Sequence, residues 1–436
     1  MRILKEGFFN NELEFISLGQ ILFFIGVFFL PSALILGGSI LLISLSISLY
    51  VNKNLFFKDK WNWSLTTVSF LLILSCIYNQ SLSINLEISN WVSLLNWIPL
   101  FLAFFGFQFY LNTQKKRYLF VIIILMGSFP IFFSCLTQSW LKWYGPYETL
   151  FGLIVWFQKP PESDAVRGIS GLFSNENYTG LWLSMLFPFS IALTLKKGIS
   201  LIKRLAPFLT TILIVYLVVL TNSRNAVLGL TLSIPILFTL KGIFISMIFL
   251  LLLYLLNLFI LNPIIPAEFK ELIPKFYPDK LLTKFIETLD SSSRRIDIWK
   301  KVIAKISSAP WLGWGAGSLM LIYVWIDKGI EFEFNVSHSH NLPLELAHNY
   351  GIPVAFILCF TIALLYFKSA KIILNRSRNN FEELLDKAWL AAATIILVSH
   401  LSDITYYDGR VSLAIWILLA GLKTIIDKES IKIKEN

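Results

Sequence analysis

Twelve stretches of the chain are apolar over 16 to 21 residues: 14–31, 33–50, 63–79, 92–111, 118–137, 176–195, 206–222, 225–240, 242–262, 349–367, 386–403 and 411–427. Runs of about 17–25 apolar residues match the hydrocarbon thickness when coiled as a helix. In lipid the backbone must satisfy its own polar groups, which a helix does within one segment. The pattern therefore predicts an all-α polytopic membrane protein, a single integral membrane domain over residues 1–436. Two polar stretches interrupt it at length, 138–171 and 264–341, the second lying between the ninth and tenth spans. Long loops in a compact fold are usually functional.

Composition removes the soluble alternative. Of 436 residues, 56% are hydrophobic and only 15% charged, with a mean hydropathy of +0.69. A water-soluble core cannot absorb that much apolar surface, whereas membrane lipids can. The first span lacks a basic leader and a small-residue cleavage site, so it reads as a retained helix. Cys76, Cys135 and Cys359 all fall inside predicted spans, which argues for packing rather than for disulfides or a thiolate metal site.

The net charge of +10 changes the picture only through its placement. With both termini on one side, that side carries 22 of the 37 Lys and Arg residues. Most of the remainder sits in the long 264–341 loop, and long translocated loops are exempt from the positive-inside rule. Both termini are thus expected in the cytoplasm, with no nucleic-acid partner. The loops 138–171 and 264–341 then face the opposite, external side.

On that external side the chemistry-bearing residues are few. Arg167 ends the first long loop in "VRGISGLFSNENYTG", Arg224 sits in the tight turn "LTNSRNAVL", and Arg410 in "YYDGR". Within the large loop, "RRIDIWKKVIAKI" places Trp299, Val302, Ile303 and Ile306 on one helical stripe, with Arg295 one turn earlier. "DSSS" precedes it as an N-cap region and "APWLGWGAGS" ends it. Such a helix either lies on the bilayer with Arg295 snorkelling, or aims Arg295 at an anion. Guanidinium groups at apolar helix ends are costly unless paired, and their fork suits phosphate.

Three of the four histidines, His338, His340 and His348, lie within eleven residues at the return of the large loop. They admit three readings: a metal site, helix capping, or general acid–base work by one imidazole. No Cys, Asp or paired His follows at ligand spacing, so no metal is expected. His400 and Asp403, three residues apart, read as a pair on one helix face. Glu331 and Glu333 in "EFEF" are the nearest carboxylate pair. No P-loop, Rossmann pattern or kinase signature is present, and "GWGAG" follows a helix and Pro310, which is wrong for a phosphate cradle. No cofactor is called for.

Four motifs in order resemble the bacterial O-antigen ligase and O-antigen polymerase superfamily. They are "RGISGLFSNENYTG", "TNSRNAVLGL", "SRRIDIWKKVIAKISSAPWLGWGAGS", and His340–Asn341 followed after nine residues by Gly351. Glu176 stands where the family carries Pro, and Ile352–Pro353–Val354 departs from its small or hydroxyl residue after the glycine. The resemblance implies a GT-C-like glycosyltransferase of lipopolysaccharide biosynthesis. It would move a glycan from an undecaprenyl-diphosphate donor to a glycan or lipid A–core acceptor hydroxyl, without metal or nucleotide and with inversion. By motif position, His340 would be the base and Arg224, Arg295 and Arg167 would bind the diphosphate. Asn341, His338, Gly351 and Trp299 would support them. Ligase and polymerase both remain open, the large loop leaning toward ligase. A solute transporter with His400 and Asp403 as a relay, or an assembly scaffold, would be the other classes.

Overall fold

The computed structural model describes residues 17–80, 87–152, 154–158, 168–196, 198, 200–239, 242–244, 247–248, 295–319, 338–376 and 381–435. The chain is mostly helical there. In order the helices are α1 (Ser17–Phe29), α2 (Leu34–Asn52), α3 (Lys60–Gln80), α4 (Glu87–Ser93), α5 (Ile98–Leu111), α6 (Gln114–Gly127) and α7 (Phe129–Trp140). They continue as α8 (Glu176–Thr194), α9 (Leu201–Leu220), α10 (Arg224–Phe238), α11 (295–308), α12 (Leu342–Tyr350), α13 (Ile352–Leu374), α14 (Phe381–Ser399) and α15 (Gly409–Glu435). Among the described residues seven segments are long and apolar enough to cross a membrane: Leu34–Lys58, Lys60–Gln80, Asn90–Leu111, Gln114–Trp140, Leu201–Leu220, Ile352–Leu374 and Gly409–Ser430. The expected ninth span, 242–262, lies largely outside the described residues, as do Arg167, the DSSS cap, Glu331 and Glu333.

The helices sort by what their flanks meet. α9 turns Leu201, Ile202, Leu205, Phe208, Leu209 and Ile212 outward, and α13 does the same with Phe356, Phe360 and Phe367. Exposed apolar ridges of that extent suit hydrocarbon and not water. α14 and α15 are instead buried along most of their length. The run "AWLAAATIILVS" in α14 uses Ala388, Ala391, Ala392 and Ala393, all fully buried, to let α8, α10 and α15 approach closely. α15 in turn packs against α5 and α13.

One predicted span is two helices. The apolar run at 118–137 breaks between α6 and α7, where Pro130 cannot donate back into the preceding turn. Ser128 holds the corner: its Oγ donates to Ile124 O at 2.7 Å and accepts the Trp182 indole N–H at 3.0 Å. The 138–171 stretch also contains an antiparallel hairpin, β1 (Tyr147–Thr149) with β2 (Ile154–Trp156), that the helical pattern did not foresee. Three residues per strand are too few to leave a clear alternation.

Past the hairpin the chain is stitched onto the helix ends. Gln138 Oε1 accepts from the N–H groups of Ser170 and Gly171 at 3.0 and 2.9 Å, and Ile169 N–H donates to Leu220 O at 3.1 Å. Asn175 then caps α8, its Oδ1 accepting Asn177 N–H at 2.7 Å. Arg410 belongs to this packing: it pairs with Asp408 at 2.6 Å, donates to Leu172 O at 3.1 Å and lies 3.7 Å from the Phe173 ring centre.

Between α12 and α13, Gly351 adopts φ +92° and ψ 161°, a region that only glycine occupies comfortably. A Cβ there would also strike the Trp311 carbonyl. The Pro–Gly segment after α11 needs this close approach: Ile352 N–H donates to Pro310 O at 2.8 Å, and Trp314 N–H to His348 O at 2.8 Å. Gly351→Ala is therefore expected to cost at least about 1–3 kcal/mol, read as a lower unfolding temperature in detergent.

Candidate active site

Local rules place His340 before any long-range contact does. Asn341 is the N-cap of α12, its Oδ1 accepting Leu344 N–H at 3.0 Å. Ser339 N–H donates to Glu345 Oε2 at 2.8 Å, and Ser339 Oγ donates to Asn341 O at 2.8 Å. These bonds wind the chain so tightly that His340 takes φ +52°, which is uncommon for a residue with a side chain. Its imidazole is thereby turned out of the helix start. Backbone strain of this kind gathers where the surroundings over-determine a functional position.

Three further tethers bring that turn against other elements. Leu342 N–H donates to His400 O at 2.9 Å and Asn341 Nδ2 to Leu401 O at 2.9 Å, joining it to the end of α14. From α11, the Trp299 indole N–H donates to Ser339 O at 3.0 Å. The α11 stripe is narrower than expected. Val302 and Ile306 are buried, but Ile303 is 51% exposed because the 100° step per residue carries it past the contact face.

The consequence is a pair distant in sequence. His340 Nδ1 lies 3.2 Å from Asp403 Oδ1, across 63 residues of chain. Asp403 sits in the turn beyond α14, where its Oδ1 also accepts Ile404 N–H at 2.9 Å and its Oδ2 accepts Asn177 Nδ2 at 3.1 Å. Burial pushes this carboxyl up, but the hydrogen bond and charge of His340, the Arg295 charge and the Ile404 N–H outweigh it. Asp403 is held below the usual carboxylate range. These contacts favour its ionised form.

This corrects the local reading of His400 with Asp403. His400 lies fully inside the protein, edge-on to Tyr406 at 5.7 Å, while the Asp403 oxygens are taken by His340, Asn177 and Ile404. Three residues would put the two on one face only if the helix continued, and α14 ends at Ser399. His348 also stands apart from its sequence neighbours. It is completely buried within α12, and its Nδ1 lies 3.0 Å from Asn349 Oδ1. His338 stays beside His340, ring centres 4.2 Å apart and interplanar angle 69°.

The arginines arrive by different routes. Arg295, half-buried at the start of the described part of α11, is close enough for its charge to act on both Asp403 and His338. Arg224 opens α10, and its neighbour Asn225 accepts from Ser402 Oγ at 3.0 Å, one residue from Asp403. α10 is thus docked by its N-terminus on the turn that carries the carboxylate. Gly180 of α8 allows this, since a Cβ there would crowd Ala226 and Ser223. Asn177 and Asp403 were not foreseen as site residues. Asp403 left a trace in "SHLSDITYYDG", but its nearest titratable neighbour in sequence was the wrong partner.

Among the described residues His338, His340 and Asp403 form a group of potential metal-ligand atoms lying within 4.8 Å of one another. Chemically, the arrangement offers a carboxylate-oriented imidazole beside at least one guanidinium. That is the equipment for deprotonating a hydroxyl next to an anion.

No curated protein matches the chain. Residues 209–359 match the family model described as O-antigen ligase, a segment running from within α9 into α13 and containing Arg224, Arg295, Trp299, His338, His340, Asn341 and Gly351. That match supports a multi-pass membrane protein with an O-antigen ligase or polymerase type of function in general, acting on lipid-linked glycan and acceptor substrates. Over those residues the chain is similar to the O-antigen ligase/polymerase superfamily, and the match supports that relationship.

Proposed function

We propose that the protein is an inverting glycosyltransferase of the ligase type, moving a glycan from undecaprenyl diphosphate to an acceptor hydroxyl on the periplasmic face of the inner membrane. The observation that carries this reading is the His340–Asp403 pair, 3.2 Å apart with Arg295 in electrostatic range.

The steps follow from the groups present. Asp403 accepts the Nδ1–H of His340 in the tautomer this network favours, which leaves the Nε2 lone pair as the base. The acceptor hydroxyl gives its proton to Nε2 while its oxygen attacks the anomeric carbon. The bond from that carbon to the diphosphate oxygen breaks, and the electron pair leaves with the diphosphate. Arg295 and Arg224 stabilise the developing charge, with Arg167 as a third cation by motif position. Fixed charges in a water-poor site are effective here because they need no reorganisation as charge develops. Attack opposite the leaving group inverts the anomeric configuration.

A proton relay through the bilayer has less support. Between Lys387 and His400, α14 carries twelve residues with no ionisable side chain, about 18 Å of helix. Glu383, Asp386 and Lys387 cluster at one end, and His400 and Asp403 lie beyond the other.

The test is reconstitution. Purified protein in liposomes with a lipid-diphosphate-linked glycan and a lipid A–core acceptor is expected to yield the extended acceptor and free undecaprenyl diphosphate by mass spectrometry. Growth of the lipid-linked glycan itself would mean the polymerase reaction instead. Release of glycan to neither acceptor would sink the transferase reading.

A further inference from the structure

We propose that His338, His340 and Asp403 are also a binding site for a zinc-type divalent ion, and that the ion switches off transfer by occupying His340. The inhibitory half rests on the reading of His340 as the base; the binding half does not.

The first observation is a vacancy in the hydrogen bonding. His338 Nδ1 is buried and has no hydrogen-bond partner, although buried polar atoms are nearly always satisfied. Nothing in the transfer chemistry uses it. The second is geometry. The candidate ligand atoms of His338, His340 and Asp403 lie within 4.8 Å of one another. The His340–Asp403 separation of 3.2 Å is already near the edge of a tetrahedron with bonds of about 2.0–2.1 Å. Only His338 has to draw inward.

The donor set decides the kind of ion. Two imidazoles and one carboxylate suit zinc or its neighbours, whereas magnesium prefers all-oxygen octahedra. Three protein ligands leave a fourth position for water. Asp403 is aimed by Ile404 N–H and Asn177, so its carboxylate is fixed before an ion arrives.

Inhibition follows from proton counting. A neutral imidazole has one lone pair. If His340 binds the ion through Nδ1, its proton moves to Nε2 and the base is lost. If it binds through Nε2, the lone pair itself is occupied. Either way no proton can be taken from the acceptor.

The experiment measures Zn2+ binding to the full-length protein in detergent by calorimetry, with Mg2+ as the comparison ion. One saturable Zn2+ per chain is expected, no Mg2+ binding, and at least a tenfold weaker Zn2+ affinity in both His338→Ala and Asp403→Asn. His348→Asn, away from the cluster, should bind as the parent does. X-ray absorption of the zinc-loaded parent should show nitrogen and oxygen neighbours with imidazole scattering, which does not depend on any variant folding. In the transfer assay, Zn2+ should abolish product formation by the parent and do so at tenfold or higher concentration in His338→Ala. Zinc binding that is absent, or unchanged in both variants, overturns the site. Binding without loss of transfer overturns the inhibition. If no transfer is seen even without zinc, the base assignment has failed while the binding result still stands.

Discussion

Replacing His340 by alanine is expected to reduce glycan transfer by about 10²–10⁴-fold, the usual contribution of a positioned base. Donor binding should change little, because the proposed mechanism has guanidinium groups and not the imidazole hold the diphosphate. The loss should therefore appear in kcat and leave KM nearly constant. Asp403→Asn separates the two roles within the pair. An amide at that position offers the imidazole no charge and can present an N–H where an acceptor is needed, so transfer should fall while the fold persists. The assay is single-turnover conversion of lipid-linked glycan at saturating acceptor. Arg295→Ala should give the opposite signature, with weakened donor binding as well as a lower rate. A His340→Ala protein that transfers at the parent rate would remove the imidazole from the mechanism and leave only positioning by the arginines.

The largest loss of stability is expected at the opposite end of α14. Arg117 and Asp386 have side chains only 2% and 4% exposed, and Arg117 Nη2 donates to Asp386 Oδ1 at 3.2 Å. Arg376 donates to the other carboxylate oxygen at 2.8 Å and to Glu429 Oε2 at 3.0 Å. Arg117 also reaches Leu111 O and Thr424 Oγ1, both at 3.2 Å. One carboxylate thus ties α6, α14 and α15 together through two cations. Asp386→Ala would leave the Arg117 guanidinium buried and uncompensated, a change that costs about 3–5 kcal/mol when such pairs are broken. Thermal unfolding in detergent should show a large drop. Replacing both partners, Arg117→Met with Asp386→Leu, should recover most of it, because the cost lies in the orphaned charge and not in the absence of the pair. Failure of the double variant to recover would mean that the network also fixes helix register.

Comparison of the two ends shows how the chemistry is divided along the molecule. The Arg117–Asp386–Arg376–Glu429 network is closed by ion pairs among its own members, as a clamp should be. The His340 end is tethered by backbone and amide hydrogen bonds that leave the imidazole partly exposed, as the proposed base must be to meet substrate. α14 connects the two through its alanine-rich middle, so the position of Asp403 depends on how that helix sits in the bundle.

Much of this was written in the hydrophobic pattern. Helices lie where eleven of the twelve apolar stretches were placed, because a long apolar run has few alternatives to a helix. The break at Pro130 and the cap at Asn341 follow from local backbone chemistry, and His340, Arg224 and Arg295 were singled out by residue type and motif. Tertiary structure decided what those residues meet. The Asp403 partner of His340 is 63 positions away, and its choice depends on α14 ending at Ser399 and on α8 bringing Asn177 to the same carboxylate. A sequence displays which side chains hold charge and lone pairs at short range. Which of them share one small volume is set by helix packing over tens of ångströms, and no local spacing encodes that.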